Sequence, residues 1–325
     1  MKKIFKWIAI GVGALLILLV AGLAFIVQSS SREHQQLIQE EKAAYPPPGV
    51  LVDINDDGRQ QHVYSEGEGE VTLVFLSGWG TCCPVFDFQA LYSRLSDDYR
   101  ITVVERPGYG WSDITSDPRD IDTLLDETRT ALQLAGESPP YVLFPHSMAG
   151  LEAIYWSMLY PDEVLAIVGL DAVTPDFAAQ SEPPSFSPVI TFLSRTGMMR
   201  YGPDVCQDNF PAIREGRLTA DQIESACALF FRRTHTDNMQ AEADTIQTNA
   251  QIVSERGMPD APLYFFIAGR KGDAGDDDWE DQLIAYVTAV GGQHLTLDAG
   301  HYIHLFAPEQ IAEESRTFIQ SVTDN

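Results

Sequence analysis

Basic residues are scarce in this chain: 21 Lys and Arg stand against 47 Asp and Glu in 325 residues. That deficit argues against nucleic acid as a partner, and against a domain that lies on anionic lipid, because both need clustered positive charge. The acidic surplus is spread along the chain apart from the loop 273–281, as on a solvated surface. Cysteine is also sparse. Cys82, Cys83, Cys206 and Cys227 lack metal-ligand spacing and form no ligand series with the seven histidines, so neither a metal nor a cofactor is expected. In an oxidising exterior Cys206 and Cys227 could pair, whereas the adjacent Cys82 and Cys83 read as packed thiols. There is no internal repeat and no heptad pattern.

Long apolar runs are absent but for one. Lys2, Lys3 and Lys6 precede an uncharged stretch whose part from Ile8 to Val27 would span about 30 Å as a helix, the thickness of a bilayer core. It is longer than the apolar region of a signal peptide and lacks a clean small-x-small cleavage pattern. The expectation is an uncleaved anchor over residues 1–30, with the lysines in the cytoplasm and everything beyond outside the cell. Residues 31–49, polar and closing on Pro46-Pro47-Pro48-Gly49, read as a stalk, which leaves 50–325 for the soluble domain.

Beyond the stalk, short apolar runs alternate with helical periodicity, the pattern of an α/β protein whose mostly parallel sheet carries helices on both faces. Strands are expected at 50–54, 61–65, 71–76, 100–104, 141–144, 164–170, 263–268 and 294–297. Between about 175 and 251 the strand signals stop and short helical stretches take over, which suits an inserted helical cap. In such sheets ligands bind where the strands end. The loops 77–84, 105–113, 145–148 and 300–304 leave those ends and hold the unusual residues. Among them, Leu143-Phe144-Pro145-His146-Ser147-Met148-Ala149-Gly150 joins a strand to a helix. A serine there points away from the sheet and faces the first free N–H groups of the helix, where oxyanion charge would be stabilised.

The junction resembles the nucleophile elbow of the α/β-hydrolase family, with Pro145 and Ala149 where glycines usually stand. Ser77-Gly78-Trp79-Gly80 is similar to the family's loop after the third strand. The run from Glu105-Arg106-Pro107-Gly108 to Ser112 resembles its Asp-Arg-Pro-Gly stretch. The segment from Gly300-His301 to Pro308-Glu309 resembles the one that carries the catalytic histidine. The resemblance covers roughly residues 60 to 320 and implies the α/β-hydrolase fold with a cap, of the serine-hydrolase, esterase-like branch.

Ser147 needs an adjacent base, and an imidazole is the group suited to neutral pH. Position along the chain leaves His301 and His304; the family alignment puts the base at His301, with His304 bracing the loop. The third member must be a buried carboxylate. The common family position, after the strand at 263–268, reads Gly269-Arg270-Lys271-Gly272, with Asp273 one residue late. Asp171, after the strand at 164–170, has the spacing used by the dehalogenase-like branch. Asp171 is the expected acid and Asp273 the alternative. The oxyanion donors would be the N–H of Met148 and, by family position, that of Trp79, with Arg106 as a buttress. Phe186, Phe192, Met198, Met199, Phe210 and Phe230 are candidate pocket residues. The expected activity is hydrolysis of a small ester, thioester or lactone through an acyl-enzyme on Ser147. An aminopeptidase or amidase of the same fold, or an anchored binding protein without activity, are the alternatives.

Overall fold

Eight strands form one sheet in the computed structural model, which describes residues 2–55, 58–270 and 278–324. They are β1 (Val50–Asp53), β2 (Gln60–Glu66), β3 (Thr72–Leu76), β4 (Arg100–Glu105), β5 (Tyr141–Pro145), β6 (Val164–Leu170), β7 (Leu263–Ala268) and β8 (Gln293–Leu297). Their order across the sheet is β1-β2-β4-β3-β5-β6-β7-β8, with β1 and β2 antiparallel and the remaining six parallel. All five residues of β3 and of β5 are buried, and Phe75 stacks on Phe144 across them at 4.8 Å. Continuous apolar runs are what strands covered on both faces require.

The helices are α1 (Lys2–Ala44), α2 (Pro84–Tyr92), α3 (Ile121–Leu134), α4 (Ala149–Leu159), α5 (Pro175–Gln180), α6 (Pro188–Arg195), α7 (Val205–Asn209), α8 (Pro211–Arg214), α9 (Ala220–Arg233), α10 (Asp237–Glu255), α11 (Trp279–Ala289), α12 (Ile303–Phe306) and α13 (Pro308–Thr323). Those from α5 to α10 fill the interval between β6 and β7, where the strand signals stop. The chain leaves β3 for β4 on one side and returns to β5 on the other. That reversal falls between β3 and β5, and ligands bind beyond the carboxyl ends of the strands at such a point in sheets of this kind.

By compactness the chain divides into two units, Met1–Pro46 with Ser187–Val205, and Pro47–Phe186 with Cys206–Asn325. In the second unit Cys206 and Cys227 form a disulfide, while Cys82 and Cys83 are buried free thiols.

In the first unit, α1 does not end where the apolar run ends. The segment expected as a polar stalk from residue 31 is helical to Ala44, because it consists of helix formers such as Gln, Glu, Leu and Lys, with no Gly or Pro before Pro46. It also packs. Ser30 Oγ donates to the Thr196 carbonyl at 2.8 Å, Tyr201 Oη donates to Glu33 at 2.7 Å, and Arg200 grips Glu41 through two bonds of 2.6 and 2.8 Å. Arg200 Nε donates to Nδ1 of His34 at 2.9 Å, so that ring must stay neutral there. Burial, and then the Arg200 charge, push the His34 pKa down to about 4.

The loss of this packing is measurable in two ways. A fragment beginning at Gln28 should keep residues 187–205 resistant to limited proteolysis, and one beginning at Ala43 should leave them cleavable. Acid should act in the same direction. Between about 6.5 and about 4 the released His34 binds a proton that the packed ring does not, so packing is favoured above this window and weakens as pH falls through it. Cleavage of 187–205 that is equal at pH 7.5 and pH 4.5 would contradict that.

Candidate active site

Ser147 lies two residues beyond Pro145, the end of β5, and sits at φ 52°, in the left-handed region that a non-glycine residue occupies only under constraint. Such strain costs on the order of 1–3 kcal/mol and persists where the surroundings over-determine it. Here the His146 N–H donates to the Leu76 carbonyl at 2.9 Å, and the Ser147 carbonyl accepts from Gly150 at 2.9 Å and Val173 at 2.8 Å. The turn is therefore stitched to β3 on one side and to the segment after β6 on the other. Two glycines make the close approaches possible. A Cβ on Gly78 would lie 2.8 Å from Ser147 Cβ, and one on Gly150 would lie 2.2 Å from the Val173 carbonyl oxygen. Pro145 and Ala149, the departures from the usual elbow, are accommodated as fully covered residues, and the small residue that the turn demands is at 150.

Asp171 comes directly after β6 and is completely buried, also at a left-handed φ of 48°. Its Oδ1 accepts from the Ala268 N–H and from Trp279 Nε1, both at 2.9 Å. Its Oδ2 lies 2.6 Å from Nδ1 of His301. A carboxylate without solvent is costly unless its lone pairs are used, and here they are. The imidazole of His301 keeps 18% exposure and packs edge-on to Trp279 at 5.5 Å. With Nδ1–H directed at the acid, Nε2 carries the lone pair. Among the described residues no hydrogen bond joins Ser147 Oγ to His301, and such bonds are often long before substrate enters. Asp273 lies outside the described residues.

His146 does not offer a second base. Its ring is buried, its Nε2 is 3.2 Å from the His301 carbonyl oxygen, and burial followed by the neighbouring His301 and His304 holds its pKa well below the usual histidine value. It is thus a neutral donor that fixes the backbone of His301. Behind it, His304 Nε2 pairs with Asp87 at 2.9 Å, both side chains being buried. His304 braces its loop against α2.

The loop after β3 is fixed from two directions. Arg106, almost fully buried, donates to the Ser77 carbonyl at 2.7 Å and lies 3.5 Å from Glu152 and 3.6 Å from Glu242. Trp79 Nε1 donates to the Met239 carbonyl of α10 at 2.6 Å. The Trp79 ring stacks on Phe186 at 4.3 Å, and Phe186 stacks on His235 at 3.7 Å. Met148 begins α4 beside Ser147, half-buried. The stretch after β4 also closes on itself: buried Glu105 accepts from the Trp111 N–H at 2.8 Å and pairs with His62 Nδ1 at 2.9 Å.

Of the expected pocket residues, Phe186 joins this aromatic stack, and Phe210 and Phe230 are buried. Phe192 is instead 49% exposed on α6, and Met198 and Met199 follow it in the unit that contains α1. Sequence reading missed Trp279, Glu242 and Asp87. None carries a local motif, because each acts on a partner more than 100 residues away. No cluster of three or more metal-ligating side chains occurs among the described residues.

The doubly anchored turn, the strand order and the helical insertion can be set beside known proteins. Residues 73–314 match the model of the alpha/beta hydrolase family, and the chain belongs to that family. It is 31% identical to an uncharacterized protein, YbdG, of Bacillus subtilis (strain 168), over 98% of both chains. It is 26% identical to the pimeloyl-[acyl-carrier protein] methyl ester esterase of Xanthomonas oryzae pv. oryzae (strain MAFF 311018), over 80% of this chain and 99% of that protein. A solved hydrolase from Oleispira antarctica shares the fold at a TM-score of 0.59 with 16% identity, covering 84% of this chain and 99% of its own.

The close approach at Gly150 is open to test. Gly150→Ala should destabilise the domain by about 1–3 kcal/mol, as overpacking does, read from the denaturant midpoint at unchanged slope. An unaltered midpoint would mean that the Val173 backbone yields freely.

Proposed function

We propose that this protein is a serine hydrolase that cleaves a small ester, or a related thioester or lactone, through an acyl-enzyme on Ser147. The observation that carries the reading is the 2.6 Å contact between His301 Nδ1 and a buried Asp171 whose other oxygen is saturated by two N–H donors. An acid held in that way fixes one tautomer of His301 and favours its cation once a proton arrives. His301 Nε2 then takes the proton of Ser147 Oγ as the oxygen attacks the acyl carbon. The tetrahedral oxyanion is held by the backbone N–H groups of Met148 and Trp79. Collapse expels the alcohol, which leaves with the proton from His301. A water, deprotonated by the same ring, attacks the acyl carbon and restores Ser147.

Ester substrates are favoured because an alkoxide leaves with less help than an amine. The relative from Xanthomonas oryzae that is named as a methyl ester esterase supports that choice. The aromatic stack of Trp79 and Phe186 offers an apolar wall for the acyl or alcohol part.

The reading includes a membrane anchor. The apolar part of α1 is long and hydrophobic enough to cross a bilayer and is not buried in the protein. The three lysines before it favour a cytoplasmic N-terminus, with the hydrolase domain outside the cell.

With p-nitrophenyl acetate and butyrate as probes, Asp171→Asn should lower kcat by roughly 10³- to 10⁴-fold with little change in stability. His301→Ala should abolish turnover, whereas Asp273→Asn should leave it near the wild-type rate. If Asp273→Asn carries the loss and Asp171→Asn is nearly silent, the acid has been misassigned. EDTA should not change the rate, and loss of activity that zinc restores would require a metal-based mechanism.

A further inference from the structure

The helix α6 leaves apolar side chains uncovered, although Leu193 is half-buried and Arg195 exposed. Its polar Ser194 is buried, whereas Val189 is 65%, Ile190 39% and Phe192 49% exposed. For a helix in water this arrangement has the wrong sign, since apolar side chains gain by leaving water and a serine does not. Three exposed apolar residues within one turn form a patch, and patches of that kind mark an interaction surface.

What covers the patch follows from where α6 is attached, within the unit that it shares with α1. Its C-cap is Thr196, whose carbonyl accepts from Ser30 Oγ at 2.8 Å. The next residue, Gly197, packs so closely on His34 that a Cβ there would lie 2.4 Å from that side chain. Arg200 then reaches His34 and Glu41. From Thr196 to Arg200 the chain therefore climbs α1 away from its apolar run, and α6 is fastened at the lowest point. Ser30 lies three residues past Val27, the end of that run, which is about 4.5 Å along a helix axis. The headgroup layer on each side of a bilayer core is about 5–7 Å deep. The attachment of α6 thus falls inside that layer when α1 spans the membrane.

We infer that α6 is an interfacial helix. Val189, Ile190 and Phe192 insert between the lipid headgroups on the outer face of the membrane, beside the point where α1 emerges. The occupant is the lipid surface itself, because α6 is fastened through Thr196 at Ser30, three residues beyond the exposed apolar run of α1. Insertion needs no cluster of basic residues, consistent with the acidic chain, since burial of apolar area drives it. The inference rests on the reading of α1 as a membrane span. It adds that α6, which belongs to the helical insertion between β6 and β7, is held at the bilayer surface.

The test uses the full chain in phosphatidylcholine nanodiscs, with single cysteines carrying an environment-sensitive fluorophore. The native cysteines do not interfere, since Cys82 and Cys83 are buried and Cys206 is bonded to Cys227. Labels go at Val189→Cys and Phe192→Cys, at Leu15→Cys within the apolar run, and at Gln39→Cys on the exposed far part of α1. Lipids bearing a nitroxide at the headgroup or the upper acyl chain should quench 189 and 192 strongly and leave 39 bright. Lipids with a deep nitroxide should quench 15. If 15 is quenched while 189 and 192 behave like 39, the interfacial role is wrong and the anchor stands. If 189 and 192 are shielded from aqueous iodide yet untouched by lipid nitroxides, protein covers the patch and the inference fails. An unquenched label at 15 would overturn the membrane reading, and this inference with it.

Discussion

One hydrogen-bonded carboxylate organises the candidate site of this molecule. Asp171 has no solvent, so its oxygens must be satisfied by donors that the fold delivers to one point. They come from the end of β7, the start of α11 and the loop after β8, which are 97, 108 and 130 residues away in sequence. Each element carries part of the site only because the others fix the acid. The left-handed backbone at Asp171 turns the chain from β6 toward this cluster. It is the counterpart of the left-handed Ser147 beyond the end of the neighbouring strand, β5. Two strained residues at adjacent strand ends are a stability cost, and such costs gather where geometry serves chemistry.

A second constraint is space. The turn at Ser147 passes so near the loop after β3 and the segment after β6 that Gly78 and Gly150 admit no Cβ. This explains how the chain can do without glycine at 145 and 149. What an elbow needs is room where backbones cross, and the crossing here involves 78 and 150. Around it, neutral His146 packs between His301 and the buried His304–Asp87 pair, and the His301 ring keeps 18% exposure.

Much of the fold could be read from sequence because its signals are local. Apolar runs such as 71–76 and 141–144 announce the buried strands β3 and β5, and the change to short helical stretches near residue 175 announces the insertion. Ser147 and His301 became candidates through their flanking residues, and Asp171 through its position after an apolar strand; of the three, the structure joins Asp171 to His301. What escaped was of two kinds. Trp279, Glu242 and Asp87 act across long separations, so nothing near them in sequence reveals their partners. The polar end of α1 looked like a stalk because hydrophilic residues suggest exposure. Ser30, His34 and Glu41 instead serve as hydrogen-bonding and ion-pairing groups against residues 194–201, and only the partner segment gives them that meaning.

The account stands on Ser147 being an activated nucleophile rather than a capped helix start. The most direct measurement is reaction of the folded protein with a fluorophosphonate, followed by mass spectrometry of its peptides. A single covalent adduct on Ser147, lost in the His301→Ala protein although that protein still folds, is the predicted result. Folded protein that remains unlabelled, or label on a different serine, would contradict the account.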